Sequence, residues 1–158
     1  MFTKSLYNIT LFFYIYLNKE IIIIKSIINL YKHLFKMKAN VPECIIDEVG
    51  TFKYIQIQII NKSDKNDTKI VIRGTQQFSY HKEIFRHFLN GILEGPKELY
   101  ENYDFEPIGG GRIQRTHSDI TVYGYSTSYG QCDHKLTCDI IKKYVPDFIK
   151  IEYSFGGY

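Results

Sequence analysis

The chain has 158 residues, 44% hydrophobic and 23% charged, enough for one domain that buries its own core without disulfides. Its net charge of +3 is unevenly spread: residues 1–36 hold five lysines and one glutamate, and the remainder is slightly acidic. That balance does not suit a nucleic-acid binder, whose folded part carries a basic excess. The three cysteines (Cys44, Cys132, Cys138) are odd in number and at no framework spacing, which argues against a disulfide scaffold and for a reducing compartment.

Residues 1–36 contain no Gly, Ala, Pro, Arg, Asp or Val. A membrane anchor needs about 20 nearly uninterrupted apolar residues, and Lys19, Glu20 and Lys25 break this run. A secretory signal would need a small-residue cleavage site, and a mitochondrial presequence would need arginines. The expectation is that Met37 is the true start and the leader is translated upstream sequence. If the leader is made, 19–36 is an amphipathic helix with Ile21, Ile24, Ile28, Tyr31 and Phe35 on one face.

"TFKYIQIQII" (51–60) alternates, with Ile55, Ile57 and Ile59 opposite Tyr54, Gln56 and Gln58, and predicts a half-buried strand. The polar turn "NKSDKND" leads to a second strand, "KIVIRG" (69–74), and the two make a hairpin. From Ser79, a candidate N-cap, the period becomes helical through Ile84, Phe85, Phe88, Leu89, Ile92 and Leu93, until Gly95-Pro96 stops it. "YDFEPIGGGRIQ" predicts a strand broken by glycines, with "SDITVYGYS" as partner. "TCDIIKKY" (137–144) predicts a short helix capped by Thr137, and "DFIKIEYSF" a last strand offering Phe148, Ile149, Ile151 and Tyr153 to the core. The order β-β-α-β-β-α-β predicts a single α+β domain: a mixed or antiparallel sheet with two packed helices behind an N-terminal extension.

Several residues carry candidate chemistry. His81, in the first turn after Ser79, lies at the positive end of the helix dipole, which biases it toward the neutral, base-competent form; an ordinary solvent-facing histidine is the plainer alternative. "PIGGGRI" (107–113) puts Arg112 beside a glycine run, which suits a phosphate or else a β-bulge. "VYGYSTSYG" sets Ser126, Thr127 and Ser128 in a hairpin turn that can cradle oxyanions. Lys53 opens the first strand and Arg73 closes the second, so a hairpin brings them near each other. Cys132, His134 and Cys138 lack a fourth ligand for zinc and read as a solvated loop. Neither a Cys-x5-Arg phosphatase loop nor a Gly-x-Ser-x-Gly elbow occurs.

In order, "FKYIQI", "IVIRG", "YHKEIF", "IGGGRI", "VYGYSTSYG", "IIKKYVPDF" and the terminal "GY" resemble the Janus/ocnus family, the 14 kDa phosphohistidine phosphatases, over roughly residues 45–158. The resemblance implies a small α+β hydrolase that removes phosphate from phosphohistidine in proteins and needs no metal or other cofactor. With the charge balance and the cysteines, the expectation is a cytoplasmic monomer that has no nucleic-acid partner and whose domain does not bind membranes. It implies that His81 is the proton acceptor, that Lys53 and the stretch Ser126, Thr127, Ser128 bind the phosphoryl substrate, and that Arg73 and Arg112 lie around the same site. Insect members are linked to sex differentiation. The alternative is a phosphohistidine- or phosphopeptide-binding module without turnover. The sequence departs from the family pattern at "GTQQFS", at Ser128 and at the terminal Gly-Gly-Tyr.

Overall fold

The computed structural model describes residues 21–26 and 41–156. The chain divides into two compact units, Met1–Asn40 and Val41–Tyr158. In the first, residues 21–26 are helical and exposed; the rest of the leader helix expected over 19–36 lies outside the described residues. Among those described, no helix is long and apolar enough to cross a membrane.

The second unit runs β1 (Cys44–Ile46), β2 (Gly50–Asn61), β3 (Asp64–Thr75), α1 (His81–Leu93), α2 (Lys97–Asn102), β4 (Tyr103–Arg115), β5 (Asp119–Tyr123), α3 (His134–Lys142) and β6 (Lys150–Tyr153). One six-stranded sheet has the order β1-β3-β2-β4-β5-β6. The flanking pairs β1/β3 and β5/β6 are parallel and the inner pairs antiparallel, so the sheet is mixed. The expected α+β domain and its β2–β3 hairpin are present, with Tyr54 opposite Gly74 and Ile57 opposite Val71.

The sheet is covered on both faces, and that departs from the half-buried strand expected at 51–60. Ile55, Ile57 and Ile59 of β2 are buried on the face where α1 lies, and α1 supplies Ile84, Phe88 and Ile92 to it. Tyr54 and Gln56, expected to face water, are equally buried on the other face. There Phe52, Tyr54, Ile72, Ile113, Ile120 and Val122 pack with Cys132, Cys138, Ile140 and Ile141 from the α3 side. β2 is a central strand, and a strand sandwiched between helices loses the contrast between its two rows.

Helix starts also differ from expectation. The N-cap of α1 is Tyr80, in extended conformation, and the Glu83 carboxylate reaches back to accept from its N–H at 3.0 Å. That is the reciprocal half of a capping box. α3 begins at His134 rather than after Thr137, because Asp133 accepts from Leu136 N at 3.0 Å. Thr137 sits inside that helix, its hydroxyl bonded to the Asp133 carbonyl. Short β1 and α2 were not expected, and β6 is shorter than "DFIKIEYSF". Phe148 and Tyr153 are exposed, while Ile149 and Ile151 pack against the core.

Candidate active site

Three adjoining strands and the start of one helix place the candidate residues. Lys53 of β2 pairs with Arg112 of β4, and Arg112 pairs in turn with Tyr123 of β5. Alternation puts Lys53, Ile55, Arg112 and Gly110 on the α1 face. His81 is the first residue of α1 and its ring comes down onto that face. A Cβ built on Gly110 would meet His81 Cδ2 at 3.0 Å and the Tyr54 carbonyl at 2.5 Å. Only a glycine leaves room for the imidazole to lie against the strand. The Lys53 ammonium donates to the Ser79 carbonyl at 2.6 Å, which ties the chain entering α1 to the sheet. Two of its three protons remain for another acceptor.

His81 is only 7% exposed, so it is not a solvent-facing first-turn side chain. Its Nε2 lies 3.0 Å from the Gly111 carbonyl. A carbonyl can only accept, so Nε2 carries the proton and Nδ1 holds the lone pair. Burial depresses the His81 pKa below 6.5, the bond to Gly111 opposes that, and the positive charges of Lys53 and Arg112 add to it. The imidazole is therefore neutral at pH 7, with its basic atom defined.

The loop 124–131 closes the site. Ser126 N–H donates to the Gly130 carbonyl at 3.0 Å, Gly130 N–H returns to the Ser126 carbonyl at 2.7 Å, and Gly110 N–H donates to the same Gly130 carbonyl at 3.1 Å. The loop is thus hooked to the glycine against which His81 rests. Phe85, one turn along α1, meets Tyr129 edge-on at 6.1 Å. Ser126 is buried and its Oγ accepts from Tyr129 N at 3.2 Å, so it shapes the turn. Thr127 and Ser128 occupy the exposed tip.

Arg73 is not gathered with this group. In the hairpin register Lys53 opposes Thr75, and Arg73 opposes Ile55 one step deeper. Its guanidinium donates to the Ile72 carbonyl at 2.7 Å and the Pro42 carbonyl at 2.9 Å, and lies 5.2 Å from the Phe88 ring centroid. Burial lowers its pKa to about 10. The hairpin does bring the ends of the two strands together, but a strand-end cation one register step inward is claimed by the core.

A second histidine lies beneath the same strand. A Cβ on Gly111 would meet His134 Cε1 at 3.1 Å, on the face opposite His81. His134 Nε2 donates to the Gly124 carbonyl at 2.8 Å, which leaves Nδ1 to accept from the Tyr54 hydroxyl at 2.6 Å. Tyr54 OH also contacts Cys132 Sγ at 3.1 Å, and Gln56 bonds Thr137 Oγ1 at 2.7 Å. Burial depresses the His134 pKa and raises those of Tyr54 and Cys132. Cys132, His134 and Cys138 are therefore core groups and not the solvated loop expected of them. Their signal was available: His134, Thr137, Cys138 and Ile141 recur at one-face helical spacing.

The sequence model of the Janus/Ocnus family matches residues 38–149, across every residue gathered above. The chain belongs to the Janus/Ocnus family. Its relatives include a 14 kDa phosphohistidine phosphatase of Sus scrofa, 32% identical over 126 residues, which span 76% of this chain and 94% of the relative. Sex-regulated protein janus-A of Drosophila pseudoobscura pseudoobscura is 34% identical over 125 residues, 76% of this chain and 79% of the relative. Janus-A of Drosophila simulans is 32% identical over 146 residues, 90% of this chain and all of the relative. That last Janus/Ocnus alignment is longer than residues 37–158, so it takes in part of the leader, which the sequence blocks did not.

Proposed function

We propose that this chain is a protein phosphohistidine phosphatase in which His81 acts as general base, without a metal cofactor. The observation that carries the proposal is the contrast between the two buried histidines. Each spends its Nε2 proton on a backbone carbonyl, Gly111 for His81 and Gly124 for His134. His134 Nδ1 is occupied by Tyr54. No described group bonds His81 Nδ1, and the ring feels the positive charges of Lys53 and Arg112. An anion cradle has no need of a neutral base held in one tautomer; a hydrolase does.

The reaction breaks a P–N bond and forms a P–O bond. The phosphoryl oxygens meet Lys53, Arg112, the amino end of α1 and the tip at Thr127 and Ser128. Phosphoryl transfer passes through a loose transition state, so positioning and charge neutralisation supply most of the catalysis. Water attacks phosphorus and His81 Nδ1 takes its proton. The P–N electron pair goes to the substrate imidazole, which enters protonated on its other ring nitrogen and leaves as neutral imidazole, and His81 then gives its proton to solvent. Ser126 holds the turn and Arg73 holds the strand end; neither is in the contact set. The phosphatase named in the pig relative supports this reading, and phosphohistidine-containing proteins are the corresponding partners.

The deciding experiment is release of inorganic phosphate from a chemically phosphorylated histidine peptide by the purified chain. Catalytic turnover is expected. Stoichiometric binding without phosphate release would instead mean a phosphohistidine-binding module.

A further inference from the structure

The site is flanked by positive charge that the chemistry above does not use. Lys82 and Arg86 are exposed on α1 and four residues apart, hence neighbours on one flank of the helix. Phe85 lies between them in sequence and packs against Tyr129, so this flank borders the 126–130 loop. Lys82 Nζ is 5.7 Å from the Tyr80 ring centroid, at the end of α1 where His81 sits. Glu83 points elsewhere, its carboxylate held by Tyr80 N–H.

Both residues are poorly placed for the stability of α1. A cation in the first turn opposes the helix dipole, at about 0.3–1 kcal/mol, and like charges at i,i+4 repel. The last turn, where a cation would help, has none. Most exposed lysines elsewhere in the domain are matched: Lys62 and Lys65 with Asp104, Lys97 with Glu101, Lys135 with Asp139, Lys143 with Glu43, Lys150 with Glu152. Among the described residues neither Lys82 nor Arg86 has a carboxylate within ion-pair distance. Lys142, the other exposed cation of the domain without such a partner, stands in the last turn of α3, where it complements the helix dipole. Lys82 and Arg86 have no such compensation, and two unmatched cations beside the site leave a local field that attracts anions.

We propose that Lys82 and Arg86 form a subsite for acidic side chains next to the phosphoryl pocket, so that the enzyme selects phosphohistidine flanked by aspartate or glutamate. This rests on the phosphatase reading. It adds a sequence preference, which His81, Lys53 and Arg112 do not impose because they meet only the phosphoryl group and water.

The test compares two phosphohistidine peptides, one with Asp/Glu at the flanking positions and one with Ser/Ala, by phosphate release. At low salt the acidic peptide is expected to have a kcat/KM about fivefold higher, the scale of two exposed ion pairs. The difference should shrink as ionic strength approaches about 1 M, where screening acts within a few ångströms. The double variant Lys82→Gln/Arg86→Gln should bring the acidic peptide down to the rate of the neutral one. Equal rates for the two peptides with the unaltered chain, while both are turned over, would overturn the subsite alone. So would a preference that survives the double variant. No turnover of either peptide overturns the subsite together with the phosphatase reading.

Discussion

Replacing His81 tests the site most directly, and the structure says which replacement separates catalysis from folding. His81→Ala removes the base but also leaves the Gly111 carbonyl without its donor, under a nearly buried side chain. An orphaned buried acceptor costs about 1–3 kcal/mol, enough to confuse lost activity with lost structure. His81→Gln is the cleaner variant. Its amide nitrogen occupies roughly the place of Nε2 and can still donate to Gly111, and it offers no basic nitrogen at the position of Nδ1. General-base catalysis contributes about 10²–10⁴-fold, or roughly 2.7–5.4 kcal/mol of transition-state stabilisation. His81→Gln should therefore lose turnover by that factor and melt closer to the unaltered protein than His81→Ala. Phosphate release from a phosphohistidine peptide, with thermal unfolding of the same preparations, reads both quantities. A His81→Gln protein with near-normal turnover would refute the base assignment.

Lys53→Ala should weaken substrate binding or slow turnover, and Lys53→Arg should restore only part, because a planar fork does not replace a compact ammonium that also ties Ser79; full activity in both, by steady-state kinetics, would move the pocket elsewhere. Because His81 works unprotonated and its pKa is depressed, kcat/KM should hold at pH 7 and fall only below about 6.5, the ordinary histidine value. His134 is depressed as well, so both histidines contribute stability that is complete above about 6.5 and lost as pH falls through their folded-state values, visible in denaturant titrations. An acid limb centred above pH 7 would contradict the burial argument. Chelation with EDTA should leave turnover unchanged, since Lys53 and Arg112 supply the positive charge; activity lost and then restored by Mg²⁺ or Zn²⁺ would overturn that. Deleting residues 1–36 should preserve folding and phosphate release, because the compact unit begins at Val41; a truncated chain that melts earlier or loses turnover would show that the leader contributes.

The parts legible from sequence were those in which one strong period dominates. The β2–β3 hairpin follows from alternation and a polar turn, and α1 from its apolar stripe. Lys53, His81 and Arg112 were legible for a related reason: strand pairing and a helix start bring them together with little help from the rest of the fold. Burial on two faces was not legible, because a central strand with Tyr54 and Gln56 on its second face reads as half-exposed until that face is known to meet α3. Arg73 lies two residues inward of Thr75, the partner of Lys53, and against Phe88, and alternation alone does not tell a solvent-facing strand-end cation from one held by the core. Ser126 Oγ accepts from Tyr129 N within its own turn, a role the sequence could not show because a turn that binds anions and a turn that binds itself use the same residues. β1 and α2, three and six residues long, are too short to show a period.

The glycines of "IGGGRI" explain how one strand can support histidines on both faces. Gly109 has φ +144, a conformation open to glycine, beside the register shift between β2 and β4, and a Cβ there would strike Cys132 at 2.7 Å. Gly110 admits His81 from above, and Gly111 admits His134 from below. The Gly111 carbonyl then sets the tautomer of His81. The ring beneath Gly111 holds Gly124 at the start of the loop that Gly110 and Gly130 close. The base, the strand and the loop are thus joined through peptide groups, which move less than side chains do. A methyl group at Gly110 or Gly111 would have to push aside a carbonyl at 2.5 Å as well as an imidazole. Gly110 and Gly111 accordingly seat the two histidines, and Gly109 gives way to Cys132; on the reading proposed above, the first of these seats is what holds the base in place.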